Sequence, residues 1–170
     1  MNNEHDPKSQ LLAEWEARQS PVGFYNLALS YMEAADDLTS RIHENKDRRL
    51  KLIFDSPVRH LYAQTWELAL KACLFAQGIG PHKLKKDFGH RLLKAWKHVD
   101  KKRFARLNLS PETEQLSDHL GYYHSERLFA YPISGLREYV PLNYIKAESQ
   151  RFRMARLEVI DLFRSESLKA

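Results

Sequence analysis

The chain has 170 residues, 43% of them hydrophobic and 29% charged, with six Gly, seven Pro and a formal net charge of +5. That is enough apolar material for one folded core, and too little Gly and Pro for a low-complexity or disordered chain. No apolar run approaches the roughly 18 residues of a membrane span, and the polar, acidic opening MNNEHDPKSQ lacks the pattern of a signal peptide.

A single domain over residues 1–170 is therefore expected, cytoplasmic, with a flexible stretch at Met1–Gln10 and a short helix at Leu11–Gln19. The one cysteine, Cys73, lies inside an apolar helical pattern, so no intrachain disulfide and no multi-thiolate metal site can form. It reads as a small buried hydrophobe in a reducing compartment.

Three Ser-Pro pairs, Ser20-Pro21, Ser56-Pro57 and Ser110-Pro111, each place a capping residue before a ring suited to the first helical position. After Pro21, the stripe Phe24, Leu27, Ala28, Tyr31, Met32, Ala35 and Leu38 predicts a helix with one core face. After Pro57, the positions Val58, Leu61, Tyr62, Thr65, Leu68, Ala69, Ala72, Cys73 and Ala76 predict the central helix, with Trp66 at its buried margin. Glu67 and Lys71, four apart on this helix, read as an exposed ion pair. Gly78-Ile79-Gly80-Pro81 ends it.

The next stripe, Leu84, Phe88, Leu92, Ala95, Trp96 and Val99, predicts one helix that tolerates Gly89, with Trp96 on its buried face. Pro111 to about Tyr123 forms another, on Leu116, Leu120 and Tyr123. Between Arg127 and Tyr144 the turn formers Tyr131-Pro132, Ser134-Gly135 and Val140-Pro141 predict a loop or short hairpin. A last helix over Asn143–Ser167 carries Ile145, Phe152, Ala155, Leu157, Val159, Ile160 and Phe163. The fold class is all-α, a single compact up-and-down helical bundle.

Charge is concentrated between Lys83 and Arg106, where ten Lys or Arg face only Asp87 and Asp100, a net +8 that leaves −3 for the rest of the chain. Such a segment attracts polyanions. Lys94, Lys97 and Lys101 form one strip of it, extended by Lys102 and Arg103, and these five are the candidate RNA contacts.

His119 and His124, five apart, point about 140° from each other around a helix and cannot share a metal ion unless the helix ends between them. No metal or other cofactor is expected. Phosphate-loop, nucleophile-elbow and His-Glu-x-x-His signatures are absent. Arg91 and His98, seven apart and about 10 Å along a helix axis, can flank one phosphate. An arginine to hold a phosphoryl oxygen and a histidine to move protons are the parts of a metal-independent RNA-cleaving site.

The stretch Tyr62–Lys97 resembles the HEPN superfamily, nucleotide-binding helical domains of higher eukaryotes and prokaryotes. Glu67-Leu-Ala-Leu-Lys71-Ala72 is similar to the family's Glu-x-x-x-Lys-Ala helix, and Gly89-His90-Arg91-Leu92 to its His-Asp-Leu segment. Tyr122-Tyr123, Arg127 and Tyr131-Pro132 are similar to the aromatic and Arg-Tyr-Pro elements before its last helix. The resemblance marks Glu67, Lys71, His90, Arg127 and Tyr131 as motif residues and implies a helical bundle, often dimeric, of the kind found in RNA-cleaving toxins, defence proteins and non-catalytic relatives. The implied partners are RNA or a nucleotide, a toxin or antitoxin protein, or a second copy of the chain. Catalytic members carry Arg, four to six residues, then His, a spacing met here by Arg91 and His98. Three readings follow: a non-catalytic RNA or nucleotide binder, a metal-independent ribonuclease using Arg91 and His98, and an interaction module for an acidic protein.

Overall fold

In the computed structural model, which describes residues 20–44, 48–129 and 139–167, the chain is an all-α bundle with no strand among those residues. No described helix is long and apolar enough to cross a membrane. Residues 1–19, and with them the expected flexible start and the short helix at Leu11–Gln19, lie outside the description, as do Tyr131-Pro132 and Ser134-Gly135.

Helix α1 (Pro21–Glu44) begins as the sequence predicts, with Ser20 Oγ accepting the Gly23 N–H at 2.9 Å. Its buried face is Tyr25, Ala28, Met32, Ala35, Thr39 and Ile42. This is turned slightly from the predicted stripe, so that Leu27 is exposed and Phe24 half-buried, edge-on to Phe75.

Helix α2 (Arg48–Ala76) does not start at Ser56-Pro57 but runs through it. Pro57 removes one ladder bond, to the carbonyl of exposed Ile53, and Ser56 turns its hydroxyl to the Phe129 carbonyl at 2.7 Å. Downstream, Val58, Tyr62, Ala63, Thr65, Trp66, Ala69, Leu70, Ala72, Cys73 and Leu74 are buried, because α2 packs against α1 and most of the later helices. Burial also pushes the Cys73 thiol far up, keeping it protonated.

The chain leaves α2 through Gly78 at φ +92°, with the Ile79 N–H closing on the Leu74 carbonyl. The single helix predicted from Leu84 to Val99 is in fact two pieces. A short α3 (Pro81–Lys83) passes into a π-helical turn (Leu84–Phe88), Gly89 takes φ +48°, and α4 (Leu92–His98) starts afresh. Gly89 therefore breaks the helix, since it supplies a backbone angle that other residues adopt only under strain. The break sets His90 between two helices.

Helix α5 (Pro111–Ser125) packs on α4. The Thr113 hydroxyl joins their ends, accepting N–H bonds from Trp96 Nε1 at 3.1 Å and from Ser110 at 2.8 Å. The predicted last helix is interrupted twice, giving α6 (Leu142–Ser149), α7 (Arg151–Met154) and α8 (Arg156–Ser167). Its buried series is Ile145, Ser149, Phe152, Ala155 and Val159, in steps of three and four. Leu157 falls outside that series and is exposed, against the prediction.

Two sets of bonds dock this return onto the rest. Trp66 donates its Nε1–H to Ser149 Oγ at 2.9 Å and packs edge-on against Phe152, and the Tyr25 hydroxyl donates to the Phe152 carbonyl. The Asp36 carboxylate accepts from the Tyr62 hydroxyl at 2.7 Å and from Gln150 Nε2 and Arg153 Nη2, each at 3.0 Å.

Trp96 and Trp66 are both buried, as the stripes require. Trp96→Ala leaves a cavity and removes one of the bonds to the Thr113 hydroxyl, and should cost about 3–5 kcal/mol in a urea melt; a loss under about 1 kcal/mol is incompatible with this packing.

Candidate functional site

Glu67 sits midway along α2, on the face turned to α4 and α5, with a side chain only 8% exposed. A buried carboxylate must be compensated by hydrogen bonds and opposite charge, and three side chains supply this. Lys71 Nζ donates to Oε1 at 2.5 Å, while His90 Nδ1 and His124 Nε2 donate to Oε2 at 2.8 and 2.6 Å. A carboxylate that only accepts fixes the proton on each of those ring nitrogens.

The pair Glu67–Lys71 is therefore a buried ion pair and not the exposed one expected from its spacing, because the turn at His90 and the end of α5 close over it. Burial pushes the Glu67 carboxyl up, but the bonds from His124, Lys71 and His90 outweigh it and draw the group down to about 2. The carboxylate is thus charged at any ordinary pH.

Each member arrives by a different route. The Gly89 break turns His90 inward through Nδ1 while leaving half of its side chain exposed. His124 is buried in the last turn of α5, which closes at Arg127, φ +54°, with the Leu128 N–H on the Tyr123 carbonyl. Its Nδ1 is buried and meets no hydrogen-bond partner among the described residues. The His60 ring, two turns before Glu67 on α2, lies 5.4 Å from that of His124, and burial together with His124 lowers its pKa.

The five-residue step does separate His119 from His124. The His119 ring lies tilted against that of Tyr123 and accepts the Val140 N–H at 3.3 Å, while Arg59 donates to the Val140 carbonyl at 2.5 Å. The convergence that sequence spacing missed is that of His90 with His124, which lie on different elements. Three of the motif residues, Glu67, Lys71 and His90, meet in this cluster; Arg127 is exposed in the turn that closes α5, and Tyr131 lies outside the described residues.

Arg91 and His98 stand at opposite ends of α4. Arg91 Nη2 and Lys94 Nζ both donate to the Asp87 carbonyl, at 2.6 and 2.8 Å. His98 Nδ1 donates to the Lys94 carbonyl at 2.8 Å, and its ring packs edge-on against Phe88, over which Lys94 also lies. Lys94 thus relates the two residues, sharing the Asp87 carbonyl with Arg91 and the Phe88 ring with His98.

Nine of the ten cations between Lys83 and Arg106 are exposed, Lys94 being half-buried. Those of the predicted strip have intramolecular partners: Lys94 the Asp87 carbonyl, Lys97 the Glu114 carboxylate at 3.6 Å, and Lys101 the Trp96 ring at 3.6 Å. Lys101 follows the end of α4, in a turn with Lys102 and Arg103 whose backbone N–H groups bond Asp100 Oδ1.

Comparisons with protein-family models, with curated proteins and with solved structures return no match for this chain.

Glu67→Gln removes the charge that compensates buried Lys71 and should cost on the order of 3 kcal/mol at pH 7. The folded pKa of Glu67 lies below its ordinary value of 4.5, so its contribution is full above that value and is lost as the pH falls toward about 2. The stability gap between parent and variant should accordingly shrink across this window in denaturant melts. A gap that widens there contradicts the assignment.

Proposed function

We propose that this chain is a HEPN-like helical protein that binds single-stranded RNA through its basic face, without catalysis of its own. The observation that carries this reading is the net +8 between Lys83 and Arg106 together with its outward presentation. Ten cations, nine of them exposed, within 24 consecutive residues of short helices and turns give a polyanion a dense run of positive charge, and the strongest term in such binding is the release of counterions from phosphates. The meeting of Glu67, Lys71 and His90 supports the HEPN-like reading, because three of the five residues that carry the resemblance act together in one network.

Lys85, Lys86, Lys102 and Arg103, all exposed, are the positions to test first. Binding of a labelled single-stranded RNA, followed by anisotropy across salt concentrations, should give a negative log–log slope. Charge reversal at all four positions should reduce its magnitude by about 0.7 for each phosphate no longer neutralised. Unchanged affinity and slope would reduce the face to a solubilising surface. Capture of an acidic protein with no RNA binding at low salt would favour the interaction module.

A second reading, the metal-independent ribonuclease, is favoured by one observation: Lys94 links Arg91, with which it shares the Asp87 carbonyl, to His98, with which it shares the Phe88 ring, and the His98 Nδ1–H is already committed to a carbonyl with Nε2 left for proton transfer. Cleavage of single-stranded RNA in chelator that disappears in both Arg91→Ala and His98→Ala would establish it. An inactive parent protein, across varied RNAs, removes it.

A further inference from the structure

The strongest oddity in the interior is His124. Its ring is almost fully buried and one nitrogen is bonded to Glu67, yet Nδ1 has no partner among the described residues. A buried polar atom left unsatisfied in a cluster that is otherwise fully bonded calls for an explanation beyond packing.

We propose that Glu67 Oε2, His90 Nδ1 and His124 Nε2 form a binding site for one divalent transition-metal ion of the Zn2+ class. The three donor atoms lie within 4.8 Å of one another and come from three separate elements, α2, the turn after Gly89 and the end of α5. Two imidazoles and one carboxylate suit Zn2+, Co2+ or Ni2+ better than Mg2+ or Ca2+, which favour oxygen donors alone. Bond lengths of about 2.0–2.2 Å place the ion among the three atoms after each ring shifts by some tenths of an ångström. Half-exposed His90 leaves a way in from solvent.

The proton balance closes without an added reactant. Each imidazole carries a proton on the nitrogen that would become a ligand, facing Glu67 Oε2, so metal binding by the neutral ring moves that proton to the other ring nitrogen. For His90 this is Nε2. For His124 it is the orphan Nδ1, which then becomes a donor beside the His60 ring. Lys71 stays on Oε1, so the carboxylate bridges an ammonium and the ion.

The test uses the whole chain without a polyhistidine tag, stripped by chelator and titrated with Co2+ while the visible ligand-field bands are followed, then with Zn2+ in competition. One equivalent should bind saturably and Zn2+ should displace it. His90→Ala, half-exposed and outside the core, should keep the helical circular dichroism and bind at least about tenfold more weakly. His119→Ala, on the same helix as His124 but facing elsewhere, should bind as the parent does. Zn2+ should raise the Tm of the parent and not that of His90→Ala. The proposal is overturned if no saturable binding occurs at one equivalent, if His90→Ala binds like the parent, or if His119→Ala weakens binding as much as His90→Ala does.

Discussion

A single buried carboxylate, that of Glu67, governs how the middle of this protein is assembled. An isolated charge in that position would be prohibitively costly, and Lys71, His90 and His124 together compensate it where α4 and α5 close on α2. The apolar stripes would accept small slips of one helix on another. The three bonds to Glu67 would not, since each has one donor atom and one length. Specificity of packing in this region therefore comes from the polar cluster, and bulk stability from the surrounding Trp66, Leu70, Leu92, Trp96 and Leu120.

The same cluster connects the buried face to the charged one. His90 belongs to the cluster, and its neighbour Arg91 belongs to the patch with Lys94 and His98. The Gly89 break is what allows consecutive residues to serve both, one turned inward and the other outward. A continuous helix through this point would carry the two side chains about 100° apart on one cylinder, and neither would reach its present partner.

How far the sequence discloses this can be followed residue by residue. The all-α class, the cap at Ser20, the end at Gly78 and the burial of Trp96 are local or periodic properties, and period and cap chemistry reveal them. Pro57 misleads because a proline reads locally as a start, whereas tertiary burial of the following turns carries the helix straight through it. Gly89 misleads in the opposite sense: apolar spacing runs across it unbroken, and only the backbone angle shows the interruption. The burial of Glu67 and Lys71 could not be read from a four-residue step, because what covers them, His90 and His124, comes from elsewhere in the chain. His60 and Glu67, seven apart on α2, did carry a signal, since both fall on one helical face. The partners of Lys97 and Lys101 depend on α5 and on the turn after α4, which a charge count along the chain does not contain.

Asp36 carries a consequence for how the chain reaches this state. Its partners Gln150 and Arg153, like the bond from Tyr25 to the Phe152 backbone, lie more than a hundred residues away in sequence. Joining such distant points in an otherwise loose chain would cost on the order of 4 kcal/mol in closure entropy, before any bond repays it. The hairpin of α1 and α2 brings Asp36 and Tyr62 together early and cheaply. Once α4 and α5 have packed on α2, the gap left for the last helices to span is far shorter than the sequence separation suggests. The bundle is thus suited to grow outward from its first hairpin, with the C-terminal helices arriving last at a carboxylate that is already in position.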